Sequence, residues 1–82
     1  MNVPASQIKT YEIRIVRPEH PTETIRVTED RYSAIREVKH LQALGIFRTN
    51  ESLQLIGLDK DFEGVEHVLK TITAPKRAEG RY

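Results

Sequence analysis

The run Asp59-x-Asp61-x-Glu63-Gly64 has the residue types and spacing that open a calcium-binding loop, where carboxylate oxygens alternate along a turn. Such a loop closes on a bidentate glutamate at its twelfth position. Here that position is Lys70, a cation where the ion requires an anion. The run is therefore read as a helix-capping cluster, in which acids favour the positive end of a helix. His20, His40 and His67 supply three imidazoles, but none lies three or four residues from another, so no local zinc pair forms. Ser6, Ser33 and Ser52 lie in no nucleophile-elbow context, and Gly45, Gly57, Gly64 and Gly80 make no phosphate-cradling loop. The chain has no cysteine, which removes thiolate nucleophiles, thiolate metal sites and disulfides. No catalytic residue, metal site or cofactor is expected, and the chain is read as non-enzymatic.

What remains is surface chemistry. Arg14 and Arg26 are expected on neighbouring strands, with Val16 and Ile56 as apolar residues that the pattern leaves off the core side. Together they make a candidate protein-binding patch, an apolar centre with a polar rim. Arg14, Arg26, Arg36 and Lys39 make the alternative, a basic face for nucleic acid. Net charge is only +1, whereas a duplex binder draws most of its affinity from phosphate neutralisation and carries a larger basic excess. An RNA-binding sheet would also place aromatics on the open face for stacking, and none is expected there. A partner protein is the expected ligand, with strand-edge homodimerisation as a further route. Small, cysteine-free chains of this style are common among accessory proteins of phages and other mobile elements.

These residues must be positioned by elements that the hydropathy pattern suggests. Tyr11, Ile13 and Ile15 alternate with Thr10, Glu12, Arg14 and Val16, the period of a half-buried strand. The segment Arg17-Pro18-Glu19-His20-Pro21 breaks it, since two prolines fix two φ angles and remove two donors. Alternation resumes over Thr22 to Thr28, which predicts a hairpin whose inner face is Tyr11, Ile13, Ile15, Ile25 and Val27. From Arg31 to Leu44, Ala34, Val38 and Leu41 fall on one helical stripe, preceded by a cap at Thr28 or Asp30 and closed by Gly45. Leu53 to Leu58 reads as a strand. Phe62, Val65, Val68, Leu69 and Ile72 then fall at helical intervals and predict a second amphipathic helix ending at Ala74-Pro75.

The stretch from Leu41 through Gly45 and Phe47 to Leu53-Gln54-Leu55-Ile56-Gly57 resembles the helix-then-wing end of winged-helix DNA-binding domains. Upstream the chain departs from that pattern, with strands in place of two helices, and no function is carried across.

The expected fold is an α+β two-layer sandwich of order β-β-α-β-α. Both helices cover one face of a mainly antiparallel sheet, and an extra short strand at 46–48 is an option. Eighty-two residues make one domain, expected over 7–73. Residues 1–6 are expected to be flexible. So are residues 74–82, where Lys76, Arg77 and Arg81 stand against Glu79 alone. The first residues have no basic, apolar leader pattern and no apolar run approaches a membrane span, so a cytoplasmic location is expected.

Overall fold

The computed structural model describes residues 3–46 and 50–73. The optional strand at 46–48, beyond Ile46 itself, and the tail at 74–82 lie outside the described residues.

A short 3-10 turn, Ala5–Gln7, leads into β1, Ile8–Val16, then β2, Glu23–Thr28, and α1, Arg31–Leu44. β3, Ser52–Asp59, and β4, Glu66–Thr73, complete one antiparallel sheet of order β2-β1-β3-β4. α1 packs over β2, β1 and β3.

The helix forms where its signals predict. The Asp30 carboxylate accepts from the Ser33 amide and hydroxyl, both at 2.8 Å, and so satisfies an orphan donor of the first turn. The same hydrogen bonds hold the Asp30 carboxyl below its usual range. At the other end Gly45 adopts a left-handed conformation, φ 66°, and its amide returns to the Gln42 carbonyl at 3.1 Å. Ala34, Val38 and Leu41 form the buried stripe. They meet Tyr11, Ile13 and Ile15 of β1 and Leu53 and Leu55 of β3, with Ile8 and Ile72 at the margins.

The expected β-β-α-β-α order is corrected in one element. Residues 60–73 form a turn and an edge strand, so one helix, not two, covers the sheet among the described residues. The physical cause is a β-bulge. Leu55 pairs with Lys70 and Ile56 pairs with Val68, leaving Leu69 as an extra residue on β4. An inserted residue destroys the period of two, so Val65, Val68, Leu69 and Ile72 mimic the i, i+3, i+4, i+7 pattern of a helix. Gly64, at φ 86°, belongs to the turn that precedes the strand.

A second bulge corrects the face assignment in β2. Ile13 pairs with Arg26 and Arg14 with Thr24, so Ile25 is the extra residue. Ile25 still packs on the core, but parity beyond it is reversed. Val27, expected inside, pairs with Glu12 on the outer face and is 60% exposed. Arg26, expected outside, lies on the helix side, where its Nε donates to Glu37 of α1 at 3.1 Å.

Candidate functional site

The sheet face opposite α1 is not covered by any described element. Thr10, Glu12, Arg14 and Val16 of β1 face it, as do Gln54, Ile56 and Leu58 of β3 and Val68 of β4, since side chains alternate along each strand. Arg14 is its centre. Its Nη1 and Nη2 donate to the two carboxylate oxygens of Glu66 at 2.9 and 2.8 Å, a bidentate pair. Its Nε and Nη2 also donate to Glu12 Oε1 at 3.0 and 2.8 Å, and Thr24 Oγ1 donates to that same oxygen at 3.3 Å. The Glu66 hydrogen bonds raise the Arg14 pKa further, and Arg14 in turn holds the Glu66 carboxyl below its usual range.

This network has an apolar underside. Arg14 lies opposite Gln54 and Glu66 opposite Leu58, so the span between them crosses β3 at Ile56. Ile56 is only 2% exposed, although it stands on the uncovered face. The arginine stem and the flanking acids shield it, as long charged side chains do when they lie along apolar surface.

The other polar cluster sits at the end of the sheet on the helix side. Asp59, 7% exposed, ends β3. Its Oδ2 accepts from the amides of Asp61 and Phe62, both at 2.9 Å, and its Oδ1 lies 2.8 Å from His67 Nε2. Gln7 Nε2 donates to both oxygens at 3.2 and 3.1 Å. Asp59 therefore serves as an anchor for the 60–65 turn, with its carboxylate held well below the ordinary range chiefly by His67. Asp59, Asp61 and Glu63 border one open cavity with Glu12 and Glu66, but no group of three side chains placed to hold a metal ion gathers among the described residues.

The third feature is a groove between α1 and β4. It has a volume of about 200 Å³ and a floor of Ile35, Val38, Leu55 and Leu69. Arg31, Lys39 and Lys70 stand around it. Arg31 is fixed by donating to the Tyr11 hydroxyl at 3.0 Å and to the Val3 carbonyl at 2.7 Å, with its guanidinium 5.6 Å from the Tyr11 ring centre.

The candidate protein-binding residues are thus divided. Arg14, Val16 and Ile56 share the open face, and Arg26 lies on the other side of the sheet. The four nucleic-acid candidates are divided further: Arg14 is engaged by Glu12 and Glu66, Arg26 by Glu37, and Arg36 and Lys39 are neighbours on α1. Sequence reasoning missed Glu12 and Glu66 as partners of Arg14, and missed Lys70 as an inward-facing cation. The run of β-branched residues Val65, Val68, Thr71, Ile72 and Thr73 was the available sign of a strand.

No protein-family model matches this chain, and no curated protein or solved structure is significantly similar to it. No helix among the described residues is long and apolar enough to cross a membrane.

Proposed function

We propose that this protein is a small non-enzymatic binding module that acts by stoichiometric contact with another protein, through the open face of its sheet. The observation that carries the reading is the face itself: four strands wide, uncovered by any described element, with apolar Val16, Leu58 and Val68 around a fixed Arg14. An arginine already held by two carboxylates loses little freedom on binding, which lowers the cost of using it as an anchor. Ile56, being buried, shapes the face more than it touches a partner.

Both sheet edges weigh against strand addition as the binding mode. β2 and β4 each carry a bulge followed by an inward-facing cation, Ile25-Arg26 and Leu69-Lys70. These are devices by which edge strands resist pairing with another chain.

Val27 and Val68 are exposed on the proposed face, so Val27→Asp with Val68→Asp should leave the fold intact and abolish capture of the protein partner. Tyr32→Asp on the exposed side of α1 should have no effect. Retention of every captured partner by the double variant would show that the face is wrong. If the captured ligand is nucleic acid, binding instead weakens steeply as salt rises.

A further inference from the structure

The α1–β4 groove is chemically unbalanced. Its floor is aliphatic, its surrounding charges are Arg31, Lys39 and Lys70, and no carboxylate among the described residues lines it. Neither lysine forms an ion pair among the described residues. At about 200 Å³ it is smaller than the roughly 300–1,000 Å³ of small-molecule sites, and it suits one large side chain.

The chain itself displays such a side chain. Phe62 is 65% exposed on the turn between β3 and β4, flanked by Asp61 and Glu63. The turn is preset: Asp59 accepts from the Asp61 and Phe62 amides, and the Val65 amide donates to the Phe62 carbonyl at 3.1 Å. The backbone of such a turn is already ordered, which lowers the cost of docking the aromatic side chain it carries. Lys60 offsets one of the two acids, leaving the tip with a net negative charge.

We infer that the groove receives Phe62 from a second copy of this chain, with Asp61 and Glu63 set against Lys39, Lys70 and Arg31. Donor and receptor both lie on the β4 side of the molecule. Lys70 is four residues along β4 from Glu66, roughly 13 Å at strand rise, so a two-fold arrangement can make both insertions at once. Such a contact is isologous and closes on a dimer. One phenylalanine buries only about 150–250 Å², against roughly 800 Å² per partner in a standard interface. The dimer is accordingly weak and depends on both insertions. The receiving groove lies on the helix side of the sheet, while the acids beside Phe62 border the Glu12, Leu58 and Glu66 end of the open face. Phe62→Ser removes the insertion and leaves Arg14, Val16 and Val68 unchanged, so loss of the dimer with partner capture retained separates this inference from the proposed function.

Sedimentation equilibrium of the intact chain, from micromolar to millimolar concentration, tests this. The expected result is a reversible monomer–dimer equilibrium that weakens with salt. Phe62→Ser and Glu63→Lys should each weaken it by about ten-fold or more, with unchanged thermal melting because both side chains are exposed. Lys70→Glu should weaken it likewise, and combining Glu63→Lys with Lys70→Glu in one chain should restore it. A chain that stays monomeric throughout, a dimer indifferent to Phe62→Ser, or a groove that takes an acidic peptide from another protein while the chain stays monomeric would each overturn the inference.

Discussion

Asp59 Oδ1 lies 2.8 Å from His67 Nε2 and so ties the last residue of β3 to the second residue of β4. The same carboxylate holds the intervening turn through two amides, and Gln7 binds it from the N-terminal side. One side chain therefore fixes the end of the sheet, the turn that presents Phe62, and the approach to β1.

The first prediction follows from this geometry. The folded state lowers the Asp59 pKa from its ordinary value of 3.8, through the His67 hydrogen bond first. A depressed carboxylate stabilises the fold above its unfolded pKa, and that stabilisation is lost as pH falls through the folded pKa. Asp59→Asn should therefore melt at a lower temperature than the parent chain at neutral pH. The difference should shrink progressively below pH 3.8, and thermal melts at neutral and strongly acid pH provide the check.

Ile56 gives the second. Its face suggests a tolerant surface position, whereas its burial beneath the Arg14–Glu66 span makes it equivalent to a core residue. Ile56→Ala should cost about 2–4 kcal/mol in urea denaturation, within the range for deleting buried aliphatic atoms. Val68→Ala, directly opposite on β4 and exposed, should cost under about 1 kcal/mol.

These contrasts show where the sequence was transparent. The helix was legible because each of its signals is local: Asp30 as cap, Ala34, Val38 and Leu41 as stripe, Gly45 as stop. β1 was legible because its alternation is unbroken from Thr10 to Val16. β4 was not, because its bulge at Leu69 is defined by register against β3, and register is a property of two strands. The same holds for Ile25, whose bulge moved Val27 out and Arg26 in. The Arg14 network was invisible for a related reason, since Glu12 is two residues away in sequence but Glu66 is fifty-two.

A third prediction concerns Gly57, which lies on the inner face opposite Tyr11 and His67. A Cβ there would meet Ile8 Cδ1 at 2.7 Å and Leu69 Cδ1 at 3.1 Å. Ile8 is buried and Leu69 packs on the core, so neither moves without cost. Gly57→Val should destabilise by about 1–3 kcal/mol as an overpacked site, measured by chemical denaturation. Shortening the neighbour with Ile8→Val should recover part of the loss.

The fourth tests the protected edges. Arg26 faces inward on β2, and its ion pair with Glu37 is exposed enough to add little stability. Arg26→Val should thus leave the melting temperature nearly unchanged while removing the buried-side charge that discourages strand pairing. Light scattering at high concentration should rise faster for this variant than for the parent chain. Equal scattering would mean that the bulge at Ile25 suffices alone.

The sheet order also dictates a timetable for folding. The hairpin of β1 and β2 and the helix α1 are closed by neighbours in sequence, so they can assemble early at small entropic cost. The hairpin of β3 and β4 is local as well, since only residues 60–65 separate its strands. The central seam is different: β1 must wait for β3 to return across everything from residue 17 to residue 51. Such distant closure is the slow step of small domains. The groove takes one wall from α1 and the other from β3 and β4, so it is complete only when the seam is shut, and in a nascent or newly diluted chain any self-recognition through it can begin only then.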